Sequence, residues 1–161
     1  MTAQPDQEVN QVNDGRGDVC VLLRAGGRYE GKQGHTAVAG ITRQSAGALQ
    51  LGMQVVEIPP GGKALPHFHP DHESAIYLVQ GTADVWHGPG LLEHFVMEAN
   101  DLVYIPAGVP HLTVNHSDTE MVIAVVARTD ANEDEDVRLM PEPEHVSLAL
   151  AGIGAQKGGQ K

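Results

Sequence analysis

Short segments of β-forming residues, separated at regular intervals by glycine and proline, are the feature that most constrains the fold of this chain. The turn signals include residues 59–62 (PPGG), 88–90 (GPG) and 106–108 (PAG), which restrict φ or permit a positive φ. Many short strands at this spacing predict an all-β sandwich or barrel. The predicted strands cover residues 19–24, 36–41, 48–58, 64–68, 74–79, 83–87, 93–97, 102–105, 111–115 and 121–128.

Length and composition indicate one globular domain. A chain of 161 residues with 41% hydrophobic residues is long enough to bury one core and too short for two. We expect a disordered arm over residues 1–18, a β-barrel domain over 19–140 and a C-terminal segment over 141–161. In that last segment, residues 143–151 are predicted to form a short helix and residues 152–161 a loose tail. The single cysteine, Cys20, lies in an apolar run and is expected to be a small core residue.

Charge and hydropathy exclude several classes of partner. The formal net charge is −11 and basic residues do not cluster, so we expect no nucleic acid and no anionic membrane as a partner. Residues 1–18 lack the basic start and apolar centre of a signal peptide, and the longest apolar run, 122–127, is too short to cross a bilayer. These observations predict a cytoplasmic protein. The acidic run 130–136 is interpreted as a solvated loop.

Four residues have the types and spacing of metal ligands: His67, His69, Glu73 and His111. If the first three share one strand, the alternation of side chains places them on one face. His111 follows a proline-rich bend on a later strand and completes a set of three histidines and one carboxylate. Such nitrogen and oxygen donors suit several divalent transition metals and leave positions open for substrate or water.

Other residues near this set have weaker signals. His72 has the opposite parity to Glu73 and is expected to point outward, with a supporting or substitute ligand role if the strand bulges. Tyr77 is the candidate catalytic residue because a phenol near a metal can donate a hydrogen bond or proton, and structural packing is its alternative role. Histidines 35, 87, 94, 116 and 145 are interpreted as surface residues. The cavity lining is expected to include Met53, Val55, Tyr77, Val79, Phe95 and Ile123.

Two stretches of this sequence resemble the motifs of the cupin superfamily. Gly61-x5-His67-x-His69-x3-Glu73 resembles the first motif, and Pro106-x-Gly108-x2-His111-x3-Asn115 resembles the second. The likeness extends over residues 48–128 and is closest to small, single-domain type-2 cupins of undefined activity. It implies a double-stranded β-helix, or jelly-roll barrel, to which the C-terminal helical segment is added.

The sequence departs from the cupin pattern at two places. The second motif usually opens with glycine, whereas this chain has Asn100, which tolerates the left-handed conformation of a turn. Seven residues separate Glu73 from Gly81, where the pattern usually has six. Because one extra residue in a strand reverses every later side chain, either Ile76 or Tyr77 can face the pocket.

The resemblance implies a metal-dependent enzyme, and we expect a dioxygenase acting on a small organic substrate. Fe(II) is the favoured metal, with Mn, Ni, Zn and Cu as alternatives. A non-redox isomerase, decarboxylase or lyase is a second possibility, since the same ligands support Lewis-acid chemistry. A metal-containing binding module without catalysis is a third. The apolar strand at 121–128 and the open edges of such a barrel predict a homodimer.

Overall fold

The computed structural model describes residues 19–24, 27–132 and 136–157. The arm predicted for residues 1–18 and the last residues of the predicted tail, 158–161, lie outside the described residues. Within the described residues, two antiparallel sheets dominate, as the turn spacing predicts. Among the same residues, no helix combines the length and the apolar character that crossing a bilayer requires.

Six strands form the first sheet in the order β1-β2-β3-β10-β5-β8, and five form the second in the order β11-β4-β9-β6-β7. The helices are α1 (Arg43–Ala46) and α2 (Glu144–Lys157), and a 3₁₀ turn covers Pro89–Leu91. The strands are β1 (Arg28–Glu30), β2 (Thr36–Ile41), β3 (Gly52–Ile58), β4 (His67–Phe68), β5 (Ser74–Gln80), β6 (Thr82–His87), β7 (Glu93–Glu98), β8 (Leu102–Ile105), β9 (His111–Asn115), β10 (Val122–Arg128) and β11 (Arg138–Leu139).

The predicted strands agree with this architecture except near the N-terminus. Strands β2, β8 and β9 have the predicted bounds, whereas residues 19–24 form no strand and Cys20 is exposed. The expectation of a core cysteine is therefore wrong. Strands β1 and β11 were not predicted, because three-residue and two-residue strands carry too little alternation to be seen in a sequence.

Side chains from both sheets meet in one core between them. The inward residues of β3, β5 and β10 pack against those of β6 and β7, which shows that the two sheets lie face to face. Burial of these aliphatic side chains is the main favourable contribution to folding. The buried members of this core are Val56, Ile58, Leu78, Ala83, Val85, Met97, Val122 and Ala124.

A second, smaller core lies on the outer face of the second sheet, under α2. Val146 of α2 is fully buried against Trp86, Leu112 and Val114. The helix extends further than predicted, since residues 152–157 are helical where a loose tail was expected. Trp86 is buried in this second core.

Asn115 fixes the turn that leads into the first predicted ligands. Its buried side-chain amide donates to the carbonyls of Ile58, Pro59 and Glu120 at 3.0, 3.1 and 2.8 Å, and its Oδ1 accepts from the Ser117 amide at 2.9 Å. These bonds hold the end of β3 beside β9. Strand β9 also carries His111. Asn115 therefore positions the segment after β3 that leads to His67 and His69, next to the strand that supplies the third histidine.

Candidate metal centre

Three buried histidines lie together on the inner side of the second sheet. His67 of β4 is directly opposite His111 of β9, and His69 follows β4 by one residue. One ring nitrogen from each lies within 4.8 Å of the other two, and the ring centres of His67 and His111 are 4.2 Å apart. This spacing allows a single ion to contact all three imidazoles.

Backbone carbonyls hold these rings in the orientation that a metal requires. The Nδ1–H of His67 donates to the Leu65 carbonyl at 2.6 Å, and that of His111 donates to the Val109 carbonyl at 3.0 Å. Nδ1 of His69 is 3.4 Å from the Asp136 carbonyl. Because a carbonyl can only accept, the proton lies on Nδ1 and the lone pair of Nε2 remains available as a ligand.

His67 is kept neutral by its surroundings. Burial lowers the pKa of His67 to about 3, and the neighbouring His111 and His69 lower it in the same direction, against the Leu65 carbonyl, which raises it. A neutral imidazole is the form that binds a metal. The ring is therefore ready for coordination across the physiological pH range.

The structure does not bring Glu73, the predicted carboxylate ligand, to the histidines. The chain leaves the second sheet after β4 and enters the first sheet at β5, so the expectation of three ligands on one strand is wrong. Glu73 is exposed just before β5, where its carboxylate accepts a hydrogen bond from the Tyr104 hydroxyl. Strand alternation cannot relate residues on two different strands, which is why the parity argument failed.

Ser74 faces the cavity where a carboxylate was expected. It is 5% exposed and lines the same cavity as His67, His69 and His111. Gly81 has a φ of 88° in the tight connection between β5 and β6, and the usual six intervening residues, 75–80, separate it from Ser74. The extra residue in the motif therefore lies in the turn before β5. This spacing is the signal by which Ser74 could have been found.

The same register decides the position of Tyr77. Ile76 and Leu78 line the cavity, whereas Tyr77 lies on the outer face of β5, 39% exposed, with its hydroxyl donating to Asn100 Oδ1 at 2.8 Å. Tyr77 therefore does not reach the cavity, and the geometry lends no support to a catalytic role. Asn100 itself has a φ of 81°, the left-handed conformation expected for it.

The cavity has a volume of about 80 Å³ and is mostly apolar. Of the residues expected to line it, Met53, Val55, Tyr77, Val79 and Ile123 belong to the opposite face of their strands, and Phe95 packs beside the core. The apolar lining is Val56, Ile58, Ala64, Ile76, Leu78, Ala83, Val85, Met97, Val103, Ile105, Val122, Ala124 and Val126, and the polar lining is Gln33, His35, Gln54, His67, His69, Ser74, His111 and Thr113.

Two further histidines lie at the site, where sequence reasoning gave His35 no role and His72 a role only if the strand bulged. His35, interpreted as a surface residue, is 8% exposed and enters the cavity from the loop between β1 and β2, together with Gln33. His72, expected to point outward, is 4% exposed and stacks on the His69 ring at 4.4 Å. Its Nδ1 is 3.8 Å from the Asp130 carboxylate. No spacing rule marks these two residues, because they reach the site from loops.

Residues 54–127 match the family model described as the cupin domain. This chain contains a cupin domain. The predicted membership is thereby confirmed, and the two facing sheets are its jelly roll. The comparison with curated protein sequences gives no match.

Three solved structures with the same fold illustrate the likeness. The Lactobacillus farciminis oxalate decarboxylase in its formate complex has a TM-score of 0.61 and 26% identity, over 71% of this chain and 33% of that one. An uncharacterized Klebsiella pneumoniae protein with a double-stranded β-helix domain has a TM-score of 0.51 and 20% identity, over 58% and 77%. A sugar phosphate isomerase of the cupin superfamily from Silicibacter pomeroyi has a TM-score of 0.50 and 23% identity, over 66% and 69%.

This chain spans about a third of the length of the oxalate decarboxylase chain. The two likenesses below 25% identity show the fold alone. The family and the three histidines together indicate a domain that can hold a metal ion.

Proposed function

We propose that this cupin is a metal-dependent enzyme that acts on a small organic substrate at a three-histidine centre, with dioxygenation as its reaction. The observation that carries the proposal is the convergence of His67, His69 and His111 on one mostly apolar cavity. Carbonyl acceptors at Nδ1 of His67 and His111 leave Nε2 of each ring available for a metal.

A metal held by three nitrogen donors would keep coordination positions open and supply a place where a chelating substrate and dioxygen bind together. Fe(II) is the favoured ion, and Mn, Ni, Zn and Cu are alternatives because imidazole suits all of them. The protein's own part is to orient the three imidazoles and to exclude water with aliphatic walls such as Ile76, Leu78 and Val126.

Non-redox chemistry is the second candidate. The oxalate decarboxylase from Lactobacillus farciminis, at 26% identity, supports a decarboxylase or lyase in which the metal polarises a carboxyl or carbonyl group. A domain that binds a metal and a small ligand without catalysis is the outcome expected if neither reaction occurs.

Removing one ligand tests the metal centre. We expect His69→Ala and His111→Ala each to lose most bound metal and to keep a folded barrel, because one imidazole contributes ligation and little packing. Metal content by elemental analysis after anaerobic Fe(II) loading and dialysis measures the loss, and circular dichroism measures folding. His94→Ala is the matched control, since His94 is on β7 and contacts Asp84, outside the cavity. Full occupancy in both ligand variants would refute the assignment.

The reaction is tested with the Fe(II)-loaded protein and a panel of small hydroxy acids, diketones, catechols and thiols. Oxygen-electrode traces that show consumption with one member of the panel, and none in His111→Ala, support dioxygenation. Release of CO₂ without oxygen consumption would replace the oxygenase with the decarboxylase. An absence of both would leave the binding module.

A further inference from the structure

We infer that the cavity is selective for a small anion such as a carboxylate, and that Ser74 permits this by taking the place of an acidic side chain on the wall that faces the histidines. The inference rests on the proposed metal centre and names the class of ligand that this centre takes. Three observations carry it: the absence of acidic groups in the described lining, the outward position of Glu73, and the buried cation Arg128.

The charge of the lining is the first observation. Among the cavity-lining residues that the structure describes, none is aspartate or glutamate. Three neutral imidazoles leave the formal charge of a divalent ion at about +2, whereas a carboxylate ligand would reduce it to about +1. A charge in an apolar cavity is costly when unpaired, and an opposite charge nearby strongly stabilises it. A bound anion would supply it.

The division of roles between Glu73 and Ser74 is the second observation. Glu73 is held on the outside by the Tyr104 hydroxyl, on the strand next to β5. Ser74, one residue later, is buried and turns its side chain to the cavity. A serine hydroxyl can donate a hydrogen bond to an anion, which a carboxylate in the same place would repel.

Arg128 is the third observation. It pairs with Ser74 across β10 and β5 and continues the inward row of β10 after Val126, and it is 3% exposed. Its Nη2 donates to the Asn132 carbonyl at 2.6 Å, and its Nε has no hydrogen-bond partner among the described residues. A Cβ at Gly52 would lie 2.3 Å from the Asp130 carbonyl oxygen and 3.1 Å from Arg128 Cγ and Nε, so the close approach of the backbone at residue 130 excludes a side chain beside this cation.

A buried guanidinium that no described carboxylate neutralises raises the electrostatic potential at this end of the barrel. The cavity of about 80 Å³ limits the size of the anion. Because one water occupies roughly 30 Å³ of liquid, the space corresponds to about three waters and suits only a small ligand. A small monocarboxylate or dicarboxylate fits these limits of charge and volume.

The test compares acetate with acetamide, which has nearly the same shape and no charge, on the full chain loaded with Co(II). Calorimetry and the visible absorption of the bound cobalt report binding without any need for turnover. We expect acetate to bind at least tenfold more tightly than acetamide. Equal affinities on a protein that holds cobalt would overturn the inference and leave the metal centre intact, whereas failure of the wild type to hold cobalt would overturn both.

Two neighbouring substitutions separate the roles of the two residues. We expect Ser74→Glu to hold Co(II) at least as tightly as the wild type and to lose at least tenfold in acetate affinity, because the new carboxylate neutralises the centre. Glu73→Gln, the matched control, should leave both affinities unchanged. Loss of cobalt in Glu73→Gln would identify Glu73 as a ligand and overturn the inference. Ser74→Ala, which adds no charge, should keep the preference for acetate over acetamide even if Ser74→Glu does not fold.

Discussion

At the scale of single residues, Glu73 and Ser74 show how much depends on one position. They are adjacent in the chain, yet one is exposed beside Tyr104 and the other lines the cavity. The sequence contained both pieces of information, the glutamate at a plausible ligand spacing and the extra residue before Gly81. Only the spacing to Gly81 decides which side chain faces inward, because Gly81, with its positive φ, fixes the end of β5 and hence its register.

His67 makes a residue-scale prediction about pH. Its folded-state pKa of about 3 lies below the unfolded value near 6.5, so between these values the unfolded chain binds a proton that the folded protein does not. This contribution therefore destabilises the fold as pH falls below about 6.5 and vanishes above it. At pH 5 we expect it to lower the free energy of unfolding of the metal-free protein by about 2 kcal/mol.

Urea unfolding of the metal-free wild type at pH 7.5 and pH 5 measures this effect, and His67→Gln is the control. The variant should lose less stability over that interval, since glutamine does not titrate. The same loss in both proteins would contradict the origin assigned to it.

At the scale of elements, α2 converts an exposed sheet face into a second core. Val146 is fully buried against Trp86, Leu112 and Val114, whereas Leu148 of the same helix is 64% exposed. We expect Val146→Asp to destabilise the protein by about 3 kcal/mol or more, because a charge would enter an apolar contact without a partner. Trp86 is the single tryptophan, so its fluorescence should also shift to the red.

Leu148→Asp is the matched control for this prediction, and it should change neither the unfolding midpoint nor the emission of Trp86. A red shift of equal size in both variants would show that the helix is not anchored through Val146.

At the scale of the whole molecule, the outer face of the first sheet is apolar across four adjacent strands. Val55, Val125, Tyr77 and Leu102 are neighbours in the register of β3, β10, β5 and β8. On this face, Val79 is 48% exposed, Leu102 77% and Tyr104 63%. A contiguous apolar face of this kind is typical of a protein interface. We propose that a second copy of this chain covers it, as an isologous homodimer, because such an interface joins the same patch on both subunits.

A charge in the centre of this face tests the dimer. We expect Leu102→Glu to shift the protein from twice the chain mass to a monomer in sedimentation velocity, because the interface would bury an unpaired carboxylate. Leu92→Glu is the matched control, since Leu92 is 74% exposed beside the 3₁₀ turn, away from this face. A wild type that sediments as a monomer at all concentrations would remove the proposal.

The sequence by itself determined the class of fold and three of the site residues. Turn residues at short intervals leave room for strands only, and histidines 67, 69 and 111 are polar donors in segments where an ordinary strand would be apolar. Only the tertiary structure decided which face of each strand is inside. Strands β3, β5 and β10 carry apolar residues on both faces, so alternation alone fits the observed lining and its mirror equally well. Packing between distant segments places β4 and β5 in different sheets and buries His35 and His72. No local sequence pattern indicates such packing.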